Sequence, residues 1–241
     1  MCYFALKTNT NEILTPVQVN RMFELDFTET KAGERSLSCE DRRFLSKVNE
    51  GIHQRCDGHY EMPLPFKQES IMLPNKKEVA LKRPNKLKGR LKSDSKYKAD
   101  YLAFMSDIIS RGHAEKVPVE EVLTTNGQVW YIPHHGVHHP KKSGKIRVVS
   151  NCSVEFAGES LNRHLLQGPD LTNNLIGVLC RSRQEPVAVR CDIEGMFHQV
   201  QVNPEHQNFL RFLWWDSGSI DSDPEEYRMT VHLFGANSSP G

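Results

Sequence analysis

Alternation of apolar and polar residues marks several strands, and one of them leads to a carboxylate. Residues 187–191, Val-Ala-Val-Arg-Cys, place an apolar side chain at every second position and are followed by Asp192. This pattern predicts a short strand with one buried face and an acid at its end. Gly195 follows, and a turn there returns the ring of Phe197 towards the acid. An acid beside an aromatic ring suits a nucleotide, although an Asp after a strand also commonly caps the next helix.

Two further pairs of apolar runs have the pattern of antiparallel strands. Residues 129–133 and 145–149 predict a hairpin whose loop is 134–144 and whose turn is supplied by Ser-Gly. Residues 209–215 and 227–233 predict a second pair across an acidic loop. The last of these runs alternates most regularly, with one face formed by Tyr227, Met229, Val231 and Leu233.

Helical spacing of apolar residues is clearest in three places. Residues 38–52 predict a helix that Ser38 caps, and Asp170 is placed to cap another that carries leucines and a valine on one face. The longest stripe predicts a buried helix face, with Gly112 as its C-terminal stop. That stripe consists of Tyr97, Tyr101, Phe104, Met105, Ile108 and Ile109.

The composition is that of a soluble protein with a sizeable core. Of the 241 residues, 38% are hydrophobic and 25% are charged, and no run approaches the length of a membrane span. The N-terminus lacks the features of a signal peptide, so we expect an intracellular protein, cytoplasmic or nuclear, without membrane contact. The six cysteines include no C-x-x-C pair, which indicates neither a zinc knuckle nor a disulfide framework.

Charge is distributed unevenly although the net charge is only +1. Residues 71–112 hold eleven Lys or Arg against four acids, whereas residues 203–241 hold two against six. A dense basic block can neutralise phosphates of a nucleic acid, and a solvated helix face is the other interpretation. The candidate nucleic-acid contacts in this block are Lys82, Arg83, Lys86, Lys88, Arg90 and Lys92. Leucines within it favour a helix, while Pro84 and Gly89 interrupt one.

Four histidines in the predicted hairpin loop raise the question of a metal site. A pair spaced H-x-x-x-H presents two ligands on one face of a helix. Pro133, Gly136 and Pro140 argue against a helix here, so we interpret the cluster as partly exposed loop histidines. The four are His134, His135, His138 and His139.

Several segments, taken together and in order, resemble one protein family. The runs DIEGMFHQV, FLRFLWW and YRMTVHLFGANSSPG resemble the reverse transcriptase of Bel/Pao-type LTR retrotransposons. Towards the N-terminus, FELDF, LSCEDRRFL and DGHYEMPLPF resemble the connector that precedes the polymerase in such polyproteins. The segments SLN and GPDL after residue 159 also match. One departure is Asn151, where the family commonly has Asp.

The resemblance implies an α+β fold of the right-hand polymerase type and roles for particular residues. Asp192 would be a catalytic residue that holds Mg²⁺ or Mn²⁺, with Ile193 beside it at the metal. Lys145 and Arg147, which alternate on one strand face, would bind the triphosphate of a dNTP. Phe197 would lie under the sugar, and Phe234 with Gly235 would form the floor of the nucleotide site. The partners implied are a template-primer and a dNTP.

The implied domains are a connector over residues 1–70, a fingers-like region over 71–185 and an incomplete palm over 186–241. The family takes its other catalytic carboxylates from a Tyr-x-Asp-Asp hairpin after these segments, and this sequence contains no Asp-Asp pair. Two-metal nucleotidyl transfer needs carboxylates from more than one strand. We therefore expect the isolated chain to be catalytically incomplete. The alternatives are a co-opted product that only binds nucleic acid through its basic block, and a fragment that does not fold stably.

Overall fold

The computed structural model describes residues 37–74, 77–82, 84–123, 127–138, 146–171, 173, 175–184, 186–187, 189, 191–215 and 219–238, without the side chains of Lys82 and Pro84. Residues Cys39–Gly241 form one compact unit. Helices and small, mainly antiparallel sheets alternate along this unit, which confirms the α+β class. No helix in the described ranges has the length and apolar character needed to span a membrane.

The helices begin and end largely where local sequence signals place them. They are α1 (Cys39–Gly51), α2 (Lys77–Lys82), α3 (Pro84–Ser93), α4 (Ser95–Ser110), α5 (Val119–Val122), α6 (Leu161–His164) and α7 (Leu175–Arg181), with 3₁₀-helices at Met196–Gln199 and Pro204–Leu210. Asp94 caps α4 by accepting a hydrogen bond from the Tyr97 N–H at 2.9 Å. After α4, Gly112 adopts a φ of 70°, so the predicted C-terminal stop is confirmed.

The basic block of residues 71–112 contains three helices, α2, α3 and α4. Pro84 opens α3, where a missing N–H removes no helical hydrogen bond, and Gly89 lies within α3 without interrupting it. Leu91 is buried against the core, so α3 presents its basic residues outward.

The strands are β1 (His53–Gln54), β2 (Tyr60–Met62), β3 (Ala114–Lys116), β4 (His134–His138), β5 (Ile146–Ser150), β6 (Val200–Val202), β7 (Arg211–Trp214) and β8 (Glu225–Met229). Three sheets result, with strand orders β1-β2-β6, β3-β8-β7 and β4-β5. All pairs are antiparallel except β2 with β6. A bridge between Gln201 and Val231 joins the first two sheets.

The core lies between α4 and the β3-β8-β7 sheet. Buried residues of the α4 stripe face this sheet, and the ring of Tyr101 stacks on Trp214 at a centroid distance of 5.3 Å. On β8 and its extension, Tyr227, Met229, Val231 and Leu233 are all buried, as predicted for the apolar face, but Thr230 and His232 between them are buried as well, so burial does not alternate here. The predicted stripe of α4 is confirmed by the burial of Tyr97, Tyr101, Met105 and Ile108.

A fully buried arginine joins the sheet to the helices beside it. Arg211 on β7 forms a salt bridge to Glu226 on β8 with a distance of 2.9 Å between Nη1 and Oε2. Glu226 also accepts a hydrogen bond from the Tyr131 hydroxyl at 2.9 Å and pairs with Lys77 at 2.7 Å. Burial of a charged pair costs desolvation energy, and these additional partners offset that cost.

The structure departs from two predictions about the segment before the first 3₁₀-helix. The strand expected at 187–191 does not form at the positions that the structure describes: Val187, Val189 and Cys191 lie outside any strand, and the two valines are 75% and 87% exposed. Helix α7 forms, but it begins at Leu175 instead of just after the predicted cap Asp170, and its apolar residues are exposed, with Leu175 at 70%. A strand requires a neighbouring strand to satisfy its backbone groups, and no described segment pairs with residues 187–191.

The predicted hairpin forms with a different register. Its strands are β4 and β5, so residues 129–133 precede the hairpin and the histidines expected in the loop form its first strand. The tip, residues 139–145, lies outside the described part of the chain.

Candidate functional site

A cavity of about 290 Å³ lies where α4, the β4-β5 hairpin, the Met196–Gln199 3₁₀-helix and the segment after β8 meet. Its lining is mainly apolar, and its polar side chains are an arginine, a serine and two histidines. The residues that line it are Phe104, Met105, Ile108, His134, Arg147, Val148, Ser150, Gly195, Phe197, His198, Phe212, Met229, Leu233 and Phe234. Such a cavity combines apolar contact with a few oriented polar groups, as small-molecule sites do.

Arg147 brings a positive charge to this cavity. It lies on β5 opposite Val137 of β4, and its side chain is exposed. The guanidinium carbon lies 6.0 Å from the centre of the Phe234 ring, at the outer limit of a cation–π contact. Among the residues that the structure describes, no salt bridge links Arg147 to an acid.

Phe197 reaches the cavity because the chain turns sharply before it. Gly195 has a φ of 58° and opens the 3₁₀-helix Met196–Gln199, which contains Phe197. The Phe197 ring meets the Phe234 ring edge to face, with centroids 5.4 Å apart. Two aromatic side chains from distant segments therefore form one wall of the cavity.

The turn after Leu233 requires glycine at position 235. Gly235 has a φ of 105°, and a Cβ atom there would lie 2.7 Å from the carbonyl oxygen of Ser150. The backbone therefore passes directly against the end of β5, as expected for a glycine that permits close approach. Phe234, the preceding residue, is half-exposed and points its ring to Phe197 and Arg147.

Histidines near the cavity are held in their neutral form. Burial lowers the pKa of His134 to about 4, although a hydrogen bond to the Leu213 carbonyl opposes this shift. His134 Nε2–H donates to that carbonyl at 3.1 Å, and Nδ1 accepts from the Tyr101 hydroxyl. Burial also lowers the pKa of His198, and the neighbouring His113 ring, 4.9 Å away between centroids, lowers it further.

Asp192 and Ile193 lie near the cavity along the chain but do not line it. Both side chains are exposed, in irregular backbone shortly before Gly195. Among the described residues, no group of three His, Cys, Asp or Glu side chains could hold a metal ion. Asp192 alone does not provide the ligands of a two-metal site, and binding of Mg²⁺ or Mn²⁺ stays a prediction.

Of the predicted nucleic-acid contacts, Lys82 is the last residue of α2 and four others lie on α3. Lys86, Arg90 and Lys92 of α3 are exposed, and Lys88 is half-buried. Lys92 pairs with Asp221 at 2.6 Å, and the Arg90 guanidinium lies 4.0 Å from the Tyr97 ring centre. Part of the positive charge is therefore already engaged by the protein. Arg83, the Lys82 side chain and Lys145 lie outside the described residues.

The histidines of the hairpin have different environments instead of one metal site. His134 is packed beneath the hairpin, His135 is exposed, and His138 Nε2 lies 3.2 Å from Asp100 Oδ2. His139 lies outside the described residues. The prediction that these histidines lie in a loop is wrong, because the three described histidines belong to strand β4.

Some residues of the site had no signal in the sequence. His198 follows Phe197 directly, but nothing in its spacing distinguishes it from other histidines. In the sequence Asn162 is marked only as part of the SLN segment, whereas the structure places its side chain against the turn of residues 234–237. Only a contact between segments more than 70 positions apart reveals this role, and such contacts leave no local pattern.

Sequence comparison adds no family assignment to this geometry. No model of a known protein family matches the chain, and no curated protein matches it.

Proposed function

We propose that this chain is the N-terminal half of a reverse transcriptase of the Bel/Pao type, with connector, fingers and part of the palm of a right-hand polymerase. Its cavity would hold a dNTP during RNA-directed DNA synthesis. The observation that carries the proposal is the convergence of Arg147, Phe197 and Phe234, three residues selected from separate motifs, on one cavity. Convergence of this kind is not expected from motifs that merely stabilise local structure.

The chemistry of the cavity suits a nucleotide. Arg147 provides a planar, permanently charged donor group that can bind two phosphate oxygens at once. The Phe197 and Phe234 rings provide apolar surface for a sugar or base. Gly235 lets the backbone after Phe234 pass directly against the end of β5. Template-directed transfer would require further acidic ligands beside Asp192 to hold Mg²⁺ or Mn²⁺.

Direct titration with a nucleotide tests the proposed site. Calorimetry with dTTP and Mg²⁺ should show binding that Arg147→Gln weakens about tenfold to a hundredfold, the equivalent of one charge-assisted hydrogen bond. Arg181→Gln is the matched control, because Arg181 is exposed on α7 and does not line the cavity. Equal affinity of wild type and Arg147→Gln would contradict the assignment of this cavity.

We further propose that the isolated chain does not extend a primer, because one carboxylate is too few for the two metal ions. The assay contains primer, template, dNTPs and Mg²⁺. Incorporation that Asp192→Asn abolishes would overturn this part of the proposal.

The second candidate function is nucleic-acid binding through the basic helices alone. The exposure of Lys86 on α3 favours it, since an exposed cation is available to phosphates, whereas Arg90 and Lys92 already contact Tyr97 and Asp221. In that case binding should fall steeply with salt and be lost when Lys86, Lys88 and Arg90 are changed to Glu. Asp192→Asn should leave it unchanged, which distinguishes it from binding at a polymerase site.

A further inference from the structure

We propose that Asn162 is a positioning residue of the candidate site, because its side chain fixes the turn that carries Phe234. This inference rests on the proposed nucleotide site and concerns a residue outside the cavity lining. Asn162 lies on α6 and is 7% exposed. Because its side chain is buried outside the cavity lining, Asn162 would affect a bound nucleotide only through the turn that carries Phe234.

The Asn162 side chain uses both ends of its amide. Its Nδ2 donates to the Gly235 carbonyl at 3.1 Å and to the Ser153 hydroxyl at 2.8 Å. Its Oδ1 accepts from the Asn237 N–H at 2.9 Å. The side-chain amide thus binds one carbonyl and one N–H of the same irregular turn.

Backbone contacts complete the attachment. Asn237 Nδ2 donates to the Asn162 carbonyl at 3.1 Å, and the Asn162 N–H donates to the Cys152 carbonyl at 3.2 Å. Residues just after β5, helix α6 and the Phe234–Asn237 turn are joined through this one residue. Arg147 lies on β5, so the same attachment links the strand of the arginine to the turn of the phenylalanine.

The turn needs an external clamp because it lacks regular hydrogen bonding. Residues 234–238 belong to no helix or strand, so their backbone groups lack the regular hydrogen-bond partners that such elements provide. Gly235 also allows more backbone freedom than any other residue would. Asn is suited to this position because its amide provides a donor and an acceptor side by side, whereas a carboxylate provides acceptors only.

The consequence concerns the geometry of the cavity. Without the clamp the Phe234 ring loses its fixed position against Phe197, and the apolar wall is no longer preformed. A site that must be ordered during binding has a lower affinity than a preformed one. We expect Asn162→Ala to weaken binding of dTTP with Mg²⁺ about tenfold, which corresponds to the loss of one or two hydrogen bonds.

Three variants of the full chain separate positioning from general stability. Asn203→Ala is the matched control: Asn203 caps the Pro204–Leu210 3₁₀-helix by accepting a hydrogen bond from the Glu205 N–H at 2.9 Å, and it does not line the cavity. Asn162→Ala should weaken dTTP binding, while Asn203→Ala should not. Asn162→Asp should weaken dTTP binding like the alanine variant at pH 8, because an ionised carboxylate cannot donate a hydrogen bond to the Gly235 carbonyl.

Hydrogen exchange distinguishes failure of this inference from failure of the nucleotide site. In Asn162→Ala the amides of residues 235–238 should exchange faster, while those of β7 keep their wild-type rates. If wild type does not bind dTTP, the nucleotide site is refuted, and selective exchange at 235–238 still supports the clamp. If exchange in the turn is unchanged, or if Asn162→Ala binds dTTP like wild type, the positioning role is refuted. Should Asn162→Ala not fold, Asn162→Asp provides both measurements.

Discussion

Replacement of Arg211 by Met tests whether the buried network beneath the sheet stabilises the fold. The Arg211 side chain is completely buried and donates to Asn208 Oδ1 at 3.0 Å, to Glu226 Oε2 at 2.9 Å and to the Glu121 carbonyl at 2.9 Å. Methionine has a similar volume and removes all three hydrogen bonds. Glu226 would then remain buried with one cationic partner fewer.

The contacts that remain at Glu226 determine how much unfolding free energy Arg211→Met should cost. Removing one partner of a buried ion pair typically costs about 3 to 5 kcal/mol of unfolding free energy. Glu226 keeps Lys77 at 2.7 Å and the Tyr131 hydroxyl at 2.9 Å, so its charge is not left without compensation. We therefore expect a loss of about 3 kcal/mol, which lowers Tm by about 6 to 12 °C for a unit of this size.

Thermal melting followed by circular dichroism, together with urea titration, measures this loss. Arg111→Met is the control, because its salt bridge to Asp107 is exposed and should contribute little to the free energy of unfolding. The double variant Arg211→Met with Glu226→Gln should be more stable than the sum of the single effects predicts, since no buried charge loses its partner. A loss below about 1 kcal/mol for Arg211→Met, or strictly additive effects, would refute the reasoning.

Two further predictions concern the turn after β8 and the pH dependence of stability. Gly235→Ala should lower the free energy of unfolding by about 3 kcal/mol in urea titration, because it adds a clash with Ser150 to the strain of a positive φ. Gly58→Ala is the control: Gly58 has a φ of 88° and open space around it, so the loss should be about 1 kcal/mol. Equal losses in the two variants would contradict the clash. Burial lowers the pKa of His232 to about 4, although a hydrogen bond to the Met62 carbonyl opposes this shift. Because the unfolded chain binds this proton more readily than the folded one, the free energy of unfolding should fall by up to about 3 kcal/mol as the pH decreases from about 6.5 to 4. His232→Gln should reduce this slope in denaturant titrations at several pH values, and an unchanged slope would show that His232 does not cause it.

Local sequence patterns correctly predicted the elements that have an apolar face packed against the core. The stripe on α4 and the alternation of Tyr227, Met229, Val231 and Leu233 both state which face is apolar, and each face is buried in the core. Gly112 likewise follows the end of α4 because glycine adopts a positive φ without a steric cost. These predictions succeeded because side-chain periodicity and glycine conformation are local properties.

The run at 187–191 shows where the same reasoning fails. Its alternation is as regular as that of β8, yet Val187 and Val189 are exposed because no described strand lies beside them. A strand is defined by backbone pairing with another segment, and alternation alone does not provide the partner. The β4-β5 hairpin shows a related limit, since its apolar runs did not specify which residues pair across it.

The sequence by itself determined the α+β class and selected Arg147, Phe197 and Phe234 as candidates. Only the tertiary structure decided that these three meet at one cavity, that Asp192 lies outside its lining, and that Asn162 holds the turn. The physical reason is that residue type sets the chemistry available at each position, whereas distances between remote segments depend on how the whole chain packs.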